Sequence, residues 1–143
     1  MLTIVCITIL AYCIMGKNIR ALLERIKGVD WSTKSRELFD KLRPYVLKVG
    51  RMAARPLLQF YYVMTDESTP VVDKALVYAA IIYIISPASL IPSAMYKLLG
   101  VLDESAAMLY VYKKIEGRIT PGINAKVEDT LNEWFGAEYE MVQ

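Results

Sequence analysis

The stretch 75-ALVYAAIIYIISPASLIPSAMY-96 runs for 22 residues without a charged side chain, and its reading decides the fold. About 20 apolar residues suffice to cross a bilayer as a helix. Pro87 and Pro92 interrupt any helix that uses the whole stretch, because each removes a backbone donor and clashes with the preceding turn. Pro87 also disfavours helix at Ser86, so an apolar helix is expected to end there. Ser89 can then cap a short helix over Leu90 to Leu98 by accepting backbone N–H bonds. Pro92 falls in the first turn of that helix, where proline is tolerated. Gly100 turns the chain and Asp103 caps the next helix. The stretch is expected to be the proline-braced turn of a buried helical hairpin.

Outward from this turn every long apolar run carries helical punctuation, and no alternating strand pattern occurs. Thr69-Pro70 and Thr120-Pro121 are matching start signals, a hydroxyl cap followed by proline. The first opens a helix from Pro70 to Ile85, apolar on every side after Lys74, which must be buried by protein or by lipid. The second opens a helix from Pro121 to Phe135, with Ile123, Val127, Leu131, Trp134 and Phe135 in one stripe and Gly136 as its stop. A helix over Asp103 to Glu116 has Glu104 near its positive end and Lys113 and Lys114 near its negative end. Upstream, Gly28-Val29-Asp30 reads as a hinge and Ser32 as the N-cap of an amphipathic helix bent at Pro44 and interrupted at Gly50. A further apolar helix covers about Arg51 to Thr65.

Met1 to Gly16 carries no charged side chain and is followed by Lys17, Arg20, Arg25 and Lys27. Three readings compete: a membrane anchor, a buried first helix of the fold, and a cleaved signal. A secretory signal carries its positive charges before the apolar run, and here they follow it. An anchor fits the flank, since the positive-inside rule would place Lys17 onward in the cytoplasm. Sixteen helical residues rise about 24 Å against a hydrocarbon core of about 30 Å, a gap that snorkelling of Lys17 and Arg20 would have to cover. The anchor is the expectation carried forward.

Composition leans the same way. The 143 residues are 55% hydrophobic and 22% charged, with a mean hydropathy of +0.32. Charge is segregated: Lys17 to Arg55 holds eleven basic and four acidic residues, net +7, and Pro56 to the C-terminus six basic and eleven acidic, net −5. Basic residues beside an apolar segment are drawn to anionic lipid. They are spaced around helices instead of forming one stripe with stacking aromatics, which argues against nucleic acid. The chain has no histidine, which removes histidine-based general-base catalysis, Ser-His-Asp triads and most zinc and di-iron sites. Cys6 and Cys13 share a helix face but sit about 10 Å apart along the axis, too far for a disulfide.

The segment Tyr83 to Met108, YIISPASLIPSAMYKLLGVLDESAAM, resembles the signature of the YkvA-like family of domains of unknown function, small helical domains of bacterial and some eukaryotic membrane proteins. Tyr83, Ser86, Pro87, Leu90, Ile91, Pro92, Gly100 and Asp103 stand in the matching places, and Glu104 takes the second place of the acidic pair. The helix order from Trp31 to Trp134-Phe135-Gly136 is also similar. Where the family has aspartate this chain has Ser89 and Ser93, so the resemblance implies the turn without its usual acids. Asp103 and Glu104 remain as weak metal candidates, because adjacent carboxylates on a helix diverge and a hard cation wants six or more oxygens.

The expectation is an all-α fold: a small bundle of about five to six helices with the proline-braced hairpin, plus the N-terminal hydrophobic helix. It divides into a hydrophobic helix and basic juxtamembrane segment (1–27), a YkvA-like helical domain (31–136) and a short acidic tail (137–143). The expected function is a membrane-associated, non-enzymatic adaptor or scaffold without a cofactor, its helical domain on the cytoplasmic side. Its expected partners are anionic lipid near Lys17–Arg55 and either a second copy or another membrane protein. The alternative is a cation-binding or hydrolase-like domain using Asp103 and Glu104.

Overall fold

A computed structural model of the chain describes residues 2–85 and 104–142, the side chains of 104–106 and 137–142 excepted. Among the described residues there are seven α-helices and no strand: α1 (Leu2–Met15), α2 (Arg20–Arg25), α3 (Trp31–Val49), α4 (Arg51–Thr65), α5 (Val71–Ile85), α6 (Glu104–Ile115) and α7 (Pro121–Val142), with a 3₁₀ turn at Glu116–Arg118. The all-α reading therefore holds.

The middle of the molecule is α4 and α5. Helix α5 packs against α1, α4 and α6, and α4 is flanked by α3 and α7. Every residue from Ala75 to Ile82 is buried, as an all-round apolar helix requires. Protein supplies that environment, and much of it comes from α1. Cys6, Ile9, Leu10 and Ala11 are fully buried, and Val5 and Ile7 nearly so. The fully buried Ala75, Ala79 and Ala80 let neighbouring backbones come close. Tyr78 adds a hydrogen bond with Thr3 of α1 and an edge-on contact with Trp31 of α3, ring centroids 6.1 Å apart.

In the structure the segment expected as an anchor is a helix packed in the core. Helix α1 has 14 residues, which at 1.5 Å per residue rise about 21 Å against a hydrocarbon core of about 30 Å. Among the described residues no helix is long and apolar enough to cross a membrane. The helix stops at Gly16, whose φ of +75° suits glycine. There the Gly16 and Lys17 N–H groups donate to the Cys13 and Tyr12 carbonyls, at 3.2 and 2.8 Å, closing the end as a Schellman motif.

Local capping differs from the sequence reading at three places. Helix α3 is capped by Asp30, not Ser32: Asp30 Oδ1 accepts from the Thr33 N–H at 3.3 Å, and Thr33 Oγ1 donates to Asp30 Oδ2 at 2.7 Å. These bonds hold the Asp30 carboxyl below its usual pKa, the Thr33 hydroxyl contributing most. The Thr69 hydroxyl, expected to cap α5, donates instead to the Val63 carbonyl at 2.7 Å and closes the end of α4. Thr120 behaves as expected, its Oγ1 accepting from the Ile123 N–H at 3.2 Å. The third difference is Gly136, expected as a stop. Phe135 leaves helical geometry (φ −119°, ψ 15°), and α7 resumes beyond this kink to Val142. Ala, Glu and Met in that stretch are good helix formers.

Short helix α2 follows in the basic segment after α1, and its Arg20 N–H donates to Asn18 Oδ1 at 2.8 Å. Pro44 lies inside α3 on its exposed face, as does Asp40 one turn earlier. The carbonyl left without a donor by Pro44 can thus face water.

Candidate interaction surface

Helices α3, α4, α5 and α6 enclose an open cleft of about 650 Å³ whose wall is mainly apolar. Each helix contributes the edge of its buried face. Leu38, Leu42 and Val46 turn the apolar side of α3 into the core, leaving Tyr45 and Val49 beside them at the cleft. Helix α4 adds Ala53, Pro56, Leu57, Gln59 and Phe60, α5 adds Ile84, and α6 adds Met108, Leu109 and Tyr112. Leu109 and Tyr112 are 56% and 40% exposed, so the apolar surface continues out of the cleft.

At the α3–α4 corner the chain turns through Gly50, φ +94°, a backbone geometry that favours glycine. Leu47, Val49 and Met52 are exposed around this corner, Met52 by 89%. The residues from Lys41 to Thr65 include five cations, Lys41, Arg43, Lys48, Arg51 and Arg55, and no acid. The structure divides them into two sets. Arg51 and Arg55 both pair with Glu128 of α7, and Arg51 also reaches the Leu131 carbonyl and the Asn132 side chain. Lys41, Arg43 and Lys48 are exposed and form no ion pair among the described residues. Lys34 and Lys27, by contrast, are paired with Glu37 at 3.5 Å and Glu24 at 3.8 Å.

The seam between α3, α4 and α7 fixes this face. Phe39 stacks against Tyr61 and Trp134 at 5.0 and 5.1 Å, and Tyr61 meets Tyr62 edge-on. The Tyr62 hydroxyl is 2.6 Å from Thr130 Oγ1, and Gln59 donates to Asn124 at 3.1 Å. Burial pushes the Tyr61 hydroxyl up to about 12, aided by Tyr62 and Asp40.

A cluster with more chemical groups lies where α1, α5 and α6 meet. Asp73, in the first turn of α5 and almost buried, accepts an ion pair from Arg118 Nε at 3.3 Å. Arg118 also donates to the Ser68 carbonyl at 3.3 Å, so it ties the loop before α5 to the 3₁₀ turn. The Cys13 thiol is near this pair. Its pKa is raised chiefly by burial, with Lys114 opposing and Asp73 adding a smaller upward push. Cys6 is pushed up to about 12 by burial. Both thiols are therefore protonated at neutral pH, and a protonated thiol is a poor nucleophile.

The residues of the expected proline turn, Ser86, Pro87, Ser89, Leu90, Ile91, Pro92, Ser93, Gly100 and Asp103, lie outside the described residues. Tyr83 is half-buried near the end of α5. Glu104 opens α6, its side chain undescribed, so Asp103 and Glu104 are not brought into a described metal site. Among the described residues no group of three or more His, Cys, Asp or Glu is placed to hold a metal ion. The apolar cleft and its cationic corner were not singled out by the sequence reading. Their one linear signal is the acid-free run from Lys41 to Thr65. Comparison with models of known families, with curated proteins and with solved structures yields no match to this chain.

Proposed function

We propose that the protein is a non-enzymatic helical interaction module that works at an anionic membrane surface, held there by charge and not by a spanning helix. One observation carries this reading: seven of the eleven cations in the net +7 segment Lys17–Arg55 lie on α2 and α3, where Lys41, Arg43 and Lys48 are solvent-exposed. Cations near an anionic bilayer contribute about 1 kcal/mol each and lose that attraction as salt screens it. The likeness of Tyr83–Met108 to the YkvA-like signature points the same way. An adaptor or scaffold role fits the open apolar cleft beside this face, a surface suited to a second copy or to another membrane protein. The experiment is vesicle flotation of the purified full chain. Vesicles of equal parts phosphatidylcholine and phosphatidylserine should carry the protein at low salt and release it at high salt, and pure phosphatidylcholine should not carry it. Equal flotation with both compositions, or none with either, sinks the reading.

A further inference from the structure

The geometry points to the α3–α4 corner as the part of the surface that enters the lipid, with Leu47, Val49 and Met52 as an apolar wedge and Lys41, Arg43 and Lys48 at headgroup level. This inference rests on the membrane reading above and assigns it an orientation.

Three features coincide at the corner. Gly50 breaks α3 from α4, so the exposed apolar residues on either side of it flank a break between two helices instead of lying along one helix face. Met52 is the most exposed large apolar residue described, at 89%, and Leu47 and Val49 accompany it at 47% and 37%. The cations nearest the bend are of one sign, and the pairing of Arg51 and Arg55 with Glu128 draws those two toward α7. Apolar tips ringed by cations match a bilayer, where hydrocarbon lies beneath an anionic surface. A protein partner with an acidic rim would meet the same charges, but it would not need a large apolar side chain as exposed as Met52.

The test uses the full chain with phosphatidylcholine–phosphatidylserine vesicles and two readouts. In the partition assay, Lys48→Glu changes the charge at the corner by two, and at about 1 kcal/mol per charge the affinity falls about thirtyfold. Met52→Glu should weaken binding severalfold or more. Lys126→Glu, an equal charge change at an exposed site on α7, should have much less effect. All three positions are exposed, so the fold tolerates the changes, and circular dichroism checks this. In the second readout a polarity-sensitive dye is attached at Met52→Cys in a Cys13→Ser background, Cys6 being fully buried. Its emission should shift to the blue on anionic vesicles, and the same dye at Ala125→Cys should not respond. Binding that Lys126→Glu weakens as much as Lys48→Glu, with no shift at position 52, overturns the corner while leaving the membrane reading intact. No binding of the unaltered chain overturns both. Vesicle binding unaffected by Met52→Glu, with loss of a cross-link to a neighbouring protein on native membranes, reassigns the corner to a protein partner.

Discussion

Replacing Leu10 by alanine tests whether α1 is a working part of the core. Leu10 is fully buried in α1, the helix that packs on α5. Leucine-to-alanine changes at such sites combine lost transfer energy with the cavity left behind, and cost about 2–5 kcal/mol. Taking about 3 kcal/mol, and roughly 3 °C per kcal/mol for a chain of this length, Tm should fall by about 9 °C. The matched control is Ile4→Ala on the same helix, 38% exposed, which loses far less buried surface and should cost under about 1.5 kcal/mol. The assay is thermal and urea unfolding followed by far-ultraviolet circular dichroism, in detergent-free buffer. If α1 stood apart from the fold, Leu10→Ala would leave Tm unchanged. An effect no larger than that of Ile4→Ala would refute the packing argument.

Three other outcomes follow from the geometry. Asp30→Ala should lower the urea midpoint through loss of the α3 cap, and Ser32→Ala should leave it almost unchanged. Arg118→Ala strands the nearly buried Asp73 carboxylate and should cost about 1–2 kcal/mol, less than a fully buried pair because Arg118 is itself partly exposed; Asp73→Asn combined with Arg118→Ala should cost less than the two single changes summed. The raised Cys6 pKa gives a pH prediction. Above about 9 the unfolded chain releases the thiol proton while the folded chain keeps it, so stability is full below 9 and falls as pH rises toward about 12. Urea titrations should show this decline, Cys6→Ala should reduce its slope, and alkylation at neutral pH should leave Cys6 unmodified until the chain unfolds.

The helices were legible because their punctuation is local. Gly50 separates α3 from α4, and Thr120-Pro121 opens α7 with the expected hydrogen bond. The identity of what surrounds an apolar helix was not legible. Met1–Gly16 and Ala75–Ile85 look alike whether lipid or protein covers them, and their packing against each other is a long-range fact with no local pattern. Thr69-Pro70 carries the same signal as Thr120-Pro121, yet the proximity of the Val63 carbonyl diverts its hydroxyl. Asp30 read as part of a hinge because Gly28 precedes it, although a carboxylate three residues before Thr33 is also a cap pattern. The cleft draws residues from four helices, and the Asp73–Arg118 pair joins distant segments, so neither leaves a local pattern.

In the proposed function the hydrophobic N-terminal segment stays in the core and the chain would meet membranes through charge alone. Membranes isolated from cells producing the full chain, washed first with high salt and then with alkaline carbonate, test it directly. The protein should sediment with membranes at low salt and move to the supernatant in the salt wash. Retention through both washes, with release only by detergent, would mean that α1 leaves α5 for the bilayer and would overturn electrostatic attachment.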